Sequence, residues 1–341
     1  MKKIWSVLLA LCLLLALSVP ALAEGEVPEF DTSNLEPITI KFGFSSSQKL
    51  TDVAHGMLAD RVEELSNGKI TVERYLQGQV YTDDATGAIM VSDGTMDMIV
   101  MGDMMVLNAA PEIAGWTQVP FIFRDSEHCA AFWAAVEDTV NEKMEEVYNC
   151  YVLWDALEMR GARCTVANKP ILTASDYEGI KFRLPSMAAT VAAFEALGVS
   201  ALTSSWSEVY QIMQTGIADA AESPLSNFDS ISIYEVAKYV METNHTYAFR
   251  ALHVNLDFWN SIDPVYQNII RQAAKEAFGW FSEQEKSGGE DILKLFEEKG
   301  MTVYRNDSID VQSIYEKASK AILEKYSDTW DLEYYNLIQG L

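Results

Sequence analysis

Histidine and cysteine are both scarce, four of each in 341 residues, and neither is spaced as metal ligands are. His55, His128, His245 and His253 stand far apart, and beyond Cys12 only Cys129, Cys150 and Cys164 remain, so at most one disulfide is possible. A chain of this length builds its core without staples, so buried free thiols are expected. Basic residues are half as numerous as acidic ones, 25 Lys and Arg against 50 Asp and Glu, for a formal charge of −25. Such a surface repels nucleic acid and anionic lipid, and an anionic ligand would have to be held locally, against the global field. The motifs of extracellular enzymes are missing too: no Gly-x-Ser-x-Gly elbow, no His-Glu-x-x-His helix, no Gly-x4-Gly-Lys loop. Ser46-Ser47-Gln48-Lys49 matches Ser-x-x-Lys, but its Lys-Thr-Gly partner is absent. Past the first residues no apolar run reaches the ~20 residues that span hydrocarbon, so no stable membrane insertion is expected.

What is present begins with an export pattern. Lys2 and Lys3 precede an apolar run from Ile4 to Leu17, and Ala21-Leu22-Ala23 is a small-x-small signal for cleavage after Ala23. Residues 1–23 therefore read as a signal peptide and 24–36 as an acidic tether. Ile38 to Phe44 then alternates as a strand, Thr51 to Leu65 has helical spacing up to Asn67-Gly68, and Ile70 to Tyr75 alternates again, a βαβ opening that predicts a mainly parallel sheet. A helix near Asp83 to Ser92, a strand at Met96 to Met101, a helix around Glu127 to Glu146 and strands at Tyr148 to Trp154 and Cys164 to Val166 follow. A second α/β set runs from Ala174 to Ala221: strands at Ile180 to Arg183 and Ala218 to Ala221, helices at Met187 to Leu197 and Trp206 to Thr215. From Asp263-Pro264 the chain is helical, with Gly288-Gly289 expected to interrupt and bend a long helix. Two α/β sets without a long linker predict an α/β fold of two lobes, mixed sheets flanked by helices.

The residues that point to chemistry are arginines among apolar neighbours. In Gly179-Ile180-Lys181-Phe182-Arg183-Leu184-Pro185, Arg183 falls opposite Ile180, Phe182 and Leu184 at the end of a strand that Pro185 stops. Ligands dock at strand ends in open α/β sheets, and a guanidinium grips both oxygens of a carboxylate. A surface salt bridge is the alternative on composition alone.

An ordered series of short motifs runs along the chain: Val62 to Ile70, Asp93 to Met98, Val119 to Asp125, Arg163 to Pro170, Gly179 to Pro185, Trp206 to Tyr210, Ala221 to Leu225, Tyr234 to Tyr239 and Thr243-Asn244-His245. In this order they resemble the solute-binding proteins of tripartite ATP-independent (TRAP) transporters, of the dicarboxylate-receptor type, over nearly the whole chain after the leader. The resemblance implies a two-lobed periplasmic-binding-protein-like fold, type II-like, with 37–158 plus about 249–288 as lobe I and 159–248 plus about 289–341 as lobe II. It implies hinge closure on a small organic acid, and delivery to the small and large TRAP membrane subunits, with no cofactor, metal or catalytic group. The family's Lys-x-Arg-x-Pro arginine maps onto Arg183, and the arginine before its Thr-x-x-Asn-Lys-Pro stretch onto Arg163. Gly102, Asp103 and Met104 occupy the loop from which the first lobe touches ligand, with Trp206 near the carboxylate end. A partly apolar or aromatic acid would suit Met104 and Trp206 if they face the pocket rather than the core. Glu208 and Glu222 are candidates to support the arginines or to sit on helix surfaces. Two departures stand out: Ala221-Glu222-Ser223-Pro224 has Ser223 where relatives place a ligand-reaching asparagine, and Arg160-Gly161-Ala162-Arg163 adds Arg160, a further anionic contact or a hinge-surface charge. Other exported binding proteins, such as an ABC-type receptor or a sensor's ligand module, would share the two-lobed shape; an extracellular hydrolase would need a nucleophile or metal motif that the chain lacks.

Overall fold

The structure, a computed structural model, describes residues 29–44, 49–76, 79–81 and 84–341. The leader, the first part of the tether and Ser46-Ser47-Gln48 lie outside the described residues. In chain order the strands are β1 (Ile38–Phe44), β2 (Ile70–Tyr75), β3 (Met98–Met101), β4 (Cys150–Ala167), β5 (Lys181–Leu184), β6 (Ser200–Thr203), β7 (Ala220–Pro224), β8 (Tyr239–Met241), β9 (Tyr247–Asn255) and β10 (Thr302–Tyr304). The helices are α1 (Lys49–Leu65), α2 (Asp84–Ser92), α3 (Met104–Ala109), α4 (Pro111–Ala114), α5 (Ser126–Tyr148), α6 (Ala188–Ala196), α7 (Val209–Gln214), α8 (Leu225–Ser230), α9 (Leu256–Ser261), α10 (Pro264–Glu298), α11 (Val311–Tyr326) and α12 (Leu332–Gly340).

The strands form two mixed sheets that share β4. The first runs β2-β1-β3-β9-β4 and the second continues from β4 through β7-β5-β6, with β8 and β10 on the other side of β4. Within each sheet the βαβ units are parallel, β1 with β2 and β3, and β5 with β6 and β7. Pairing between β4 and β9 runs from Cys150↔Asn255 to Ala162↔Tyr247, and slips twice, between Leu153 and Leu157 and again between Met159 and Ala162. From Arg163 onward β4 pairs with β7 instead, Arg163 standing opposite Pro224. One strand thus passes from the first sheet to the second, and the later of its two slips lies just before the change of partner.

The apolar pattern of the chain explains the layers. Ile40, Phe42 and Phe44 of β1, Leu58 and Val62 of α1, and Ile269, Ile270, Ala273 and Phe278 of α10 make one buried cluster on a face of the first sheet. Leu293 and Phe296, farther along α10, join Val209, Met213, Phe228 and Val240 in the second lobe. The long helix therefore buries its first half in one lobe and its last turns in the other. It starts at Pro264 with Asp263 capping the Val265 N–H at 2.8 Å. The opposite face of the first sheet packs α5, where Trp133 and Trp154 stack at 4.6 Å. The same apolar cluster reaches Phe182 and Phe194 of the second lobe.

The α/β reading with two lobes holds, and the differences are local. The strands expected at Tyr148 to Trp154 and Cys164 to Val166 are one 18-residue strand. Residues Trp206–Glu208 form a 3-10 turn ahead of α7 rather than one helix. The Gly102-to-Met105 loop turns into α3 at Met104. Gly288-Gly289 does not interrupt the long helix, which is continuous from Pro264 to Glu298: two glycines lower helix propensity but remove no backbone hydrogen bond. Cys129, Cys150 and Cys164 are buried free thiols. Among the described residues no helix is long and apolar enough to cross a membrane.

Candidate functional site

The parallel strands β5, β6 and β7 end on one side of the second sheet, and the polar groups expected from sequence gather there. Arg183 is the third residue of β5, paired with Leu202 and Ala221. It is only 3% exposed. Its Nε donates to the Ser204 hydroxyl at 3.1 Å and its Nη2 to the Ser204 carbonyl at 2.5 Å, and its Cζ lies 5.9 Å from the Trp206 ring centroid. Burial lowers its pKa from the ordinary arginine value; the field of Glu222 works the other way and that of Arg163 adds to the lowering.

Arg163, at the lobe crossing of β4, forms a two-pronged pair with Glu222 of β7: Nη2 donates to Oε1 at 2.7 Å and Nε to Oε2. Glu222 is fully buried, and its Oε2 also lies 3.1 Å from His245 Nε2, while His245 Nδ1 sits 2.7 Å from the Thr243 hydroxyl. A neutral imidazole fits both contacts, donating from Nε2 to the carboxylate and accepting the threonine proton at Nδ1. Burial alone would raise the Glu222 pKa, but Arg163 and His245 outweigh it and hold the carboxyl well below its usual range. Burial likewise opposes the Arg163 charge, and Glu222 reverses that, leaving Arg163 above its usual value. Both partners stay ionised, as a buried pair with satisfied hydrogen bonds must.

A second polar chain runs from the crossing into α8. Arg160 Nη2 donates to Asn227 Oδ1 at 2.6 Å, and Asn227 Nδ2 donates to the Ser223 hydroxyl at 2.9 Å. Burial, then the nearby Arg250, pulls the Arg160 guanidinium down to about 10. From the first lobe, Asp103 follows β3 and accepts from Gln118 Nε2 at 2.6 Å; burial raises its carboxyl, and the hydrogen bond from Gln118 and the charge of Arg163 oppose that rise. Met104 packs against the apolar cluster beside α5, and Gly102 lies beside the Phe249 carbonyl, 3.8 Å from where a Cβ would stand.

The structure thus brings Arg183, Arg163, Trp206 and Glu222 together, with Ser223 and Arg160 linked through Asn227. Glu208 is exposed and spends its carboxylate on the 3-10 turn, accepting from the Ser205 N–H at 2.9 Å and hydroxyl at 2.7 Å. A cavity of about 1140 Å³ opens along the crossing, with Arg160 and Trp206 in its wall beside the Gly288-Gly289 stretch of α10; Arg163, Arg183, Ser223, Gly102, Asp103 and Met104 are outside that wall. Sequence reasoning missed Asn227 and gave His245 no role. Their signal lies in pairing over distance, 67 residues for Arg160 with Asn227 and 23 for His245 with Glu222. Among the described residues no group of three or more histidines, cysteines or acids could hold a metal ion.

A profile of the family described as "Bacterial extracellular solute-binding protein, family 7" matches residues 44–329. The C4-dicarboxylate-binding periplasmic protein DctP of Rhodobacter capsulatus is 27% identical over 335 residues, covering 94% of this chain and 92% of its own. The sialic acid-binding periplasmic protein SiaP of Vibrio cholerae is 25% identical, with 78% and 82% covered. Among solved structures, a TRAP periplasmic solute-binding protein from Sulfurospirillum deleyianum with bound succinate superposes with a TM-score of 0.74 at 26% identity, covering 89% of this chain and 99% of that one. An apo, open TRAP solute-binding protein from Escherichia fergusonii gives 0.78 at 24% identity, with the same coverage.

Proposed function

This chain belongs to the bacterial extracellular solute-binding proteins of family 7, non-catalytic receptors of TRAP transporters, and from that premise we propose that it is a periplasmic receptor that captures one small organic acid through a bidentate pair between the acid's carboxylate and Arg183. Export by a signal peptide cleaved after Ala23, and hand-over to the small and large membrane subunits, belong to the same reading. The lobes are residues 37–158 with about 249–288, and 159–248 with about 289–341, a division supported by the apolar clusters that α10 joins at its two ends.

One observation carries the assignment. Arg183 is buried, yet among the described residues its hydrogen bonds go to the neutral oxygens of Ser204. Arg163, by contrast, already grips the carboxylate of Glu222. A buried guanidinium with neutral partners is costly, and a ligand carboxylate supplies the missing counter-charge. Arg163 then acts beside it as a positive wall, and Trp206 offers an apolar face to the rest of the acid. Relatives with bound succinate, L-galactonate and D-glucuronate show the range of acids that this scaffold accommodates. On this reading Arg160, in the cavity wall, meets a second group of the ligand, with Ser223 behind it through Asn227, and Asp103, Gly102 and Met104 reach the ligand only once the lobes close.

The test is a thermal-shift screen with succinate, sugar acids and aromatic acids, because a ligand that binds only the folded protein raises its apparent stability with its excess over Kd. At least one acid is expected to stabilise the parent protein, and Arg183→Ala is expected to abolish that shift while melting like the ligand-free parent. Unchanged ligand affinity in Arg183→Ala would defeat the assignment.

A further inference from the structure

The lobes are joined by β4, by the connection into β9 and by α10, and the crossing points of strand and helix lie at one level. On β4 the second of two slips in pairing falls between Met159 and Ala162. On α10 the residues up to Phe278 pack in the first lobe, and those from Leu293 onward in the second. Between these limits α10 supplies the hydrogen bonds that the slipped strand lacks. The Ser282 hydroxyl accepts from the Met159 N–H at 3.0 Å, and Glu285 Oε2 accepts from the Gly161 N–H at 3.1 Å. That same Glu285 oxygen accepts from the Ser226 hydroxyl at 3.0 Å, in the first turn of α8 in the second lobe.

We propose that Glu285 is the hinge pin of this receptor: one carboxylate oxygen ties the long helix to the bulge of β4 and to α8, so that strand and helix pivot together as the lobes open and close. The inference rests on the reading of the chain as a receptor whose lobes close on a ligand. Three residues beyond Glu285 along α10, Gly288 and Gly289 supply the compliant stretch, and the helix can flex just beyond the point where Glu285 fixes it. Asn227, the residue after Ser226, holds Arg160 at 2.6 Å, so a shift of α8 about Glu285 is carried into the wall of the cavity. Glu285 is thus a positioning residue, acting through the backbone of Gly161 and the start of α8.

The test needs no ligand. Val147 of the first lobe and Ile217 of the second are 51% and 56% exposed, whereas the native thiols are buried, so Val147→Cys and Ile217→Cys accept nitroxide labels selectively. Double electron–electron resonance on the full chain then reads the distribution of lobe separations. Glu285→Ala is expected to broaden the distribution of lobe separations, because the β4 bulge, α8 and α10 no longer move as one body once the shared acceptor is gone. Glu285→Gln, which keeps the acceptor oxygen, is expected to restore the parent distribution. Ser226→Ala, which removes only the arm to α8, should broaden it as well, to a smaller extent, and carries the test if Glu285→Ala does not fold. A Ser226→Ala distribution, or a folded Glu285→Ala distribution, that overlays the parent's overturns the proposal. Failure of every acid in the thermal-shift screen would instead count against the receptor reading and leave the lobe separations untouched.

Discussion

Arg250 and Glu158 face each other across β9 and β4, and the guanidinium holds both carboxylate oxygens, at 2.7 and 2.9 Å. Glu158 is fully buried, as are Thr51, which accepts from Arg250 Nη2 at 2.7 Å, and His55, whose Nε2 lies 3.6 Å from Glu158. Three elements of the first lobe, α1, β4 and β9, therefore meet at one ion pair just ahead of the lobe crossing. Burial alone would raise the Glu158 carboxyl, but Arg250 and His55 together outweigh it and hold the group below its usual value. Removing one partner leaves a charge buried without its counter-charge, so Glu158→Ala is expected to cost about 3–5 kcal/mol in urea unfolding. Replacing both, as Glu158→Leu with Arg250→Met, should recover most of that. A single substitution costing under ~1 kcal/mol would mean that water reaches the pair.

A pH dependence follows from His253. Its Nδ1 lies 3.0 Å from the Ala251 carbonyl oxygen, a contact that a neutral ring makes by donating, and burial lowers its pKa to about 4. The unfolded chain protonates this residue near ~6.5. Between those values the unfolded state binds the extra proton, so the contribution is whole above about 6.5 and is lost as pH falls through 4, a loss of roughly 3 kcal/mol. His55 and His245 are lowered in the same direction by burial, so replacing His253 alone will not abolish acid sensitivity. In His253→Gln the drop in unfolding free energy between pH 7 and pH 4 should shrink by roughly 3 kcal/mol relative to the parent. Equal drops in the two proteins would show that His253 does not titrate differently on folding.

The parts of the fold visible in sequence were those whose burial alternates locally. β1, α1 and β2 could be read directly because Ile40, Phe42, Leu58, Val62 and Ile70 fall on the periods of strand and helix and bury in one cluster. β4 reads as two strands in sequence because Glu158, Arg160, Gly161 and Arg163 interrupt its apolar run where it passes from one sheet to the other. β9 was not anticipated, for a related reason: Arg250 and His253 break its pattern, yet both are buried. In each case a polar residue is inside because a partner from a distant segment satisfies it, which periodicity does not register. The same limit governs the site. Arg183 stood out by its alternation, whereas Glu285 looked like one more acid on a long helix, its partners Gly161 and Ser226 lying 124 and 59 residues away.

Close packing at Gly115 makes a prediction whose sign local propensity would get wrong. Gly115 has φ −54°, ordinary helical backbone, so alanine is conformationally acceptable there. A Cβ at that position, however, would stand 2.2 Å from Trp330 Cε2. Trp330 has little freedom to withdraw: it stacks on Tyr326 at 4.1 Å and meets Trp116 edge-on at 5.1 Å. The next residue, Asp331, donates its N–H to the Glu112 carbonyl at 3.1 Å and accepts from Trp116 Nε1 at 2.7 Å. Moving the indole therefore disturbs the docking of the chain's last segment onto α4, and Gly115→Ala should destabilise by about 1–3 kcal/mol, the range for overpacking a fitted contact. Gly279 provides the contrast, an exposed glycine inside α10 with nothing within 4 Å of a built Cβ. Gly279→Ala should stabilise by about 0.5–1 kcal/mol through helix propensity alone. Urea titrations of the two variants, followed by tryptophan fluorescence, separate the effects: opposite signs support the packing argument, and a neutral or stabilising Gly115→Ala would mean that the Trp330 ring is not held against this turn.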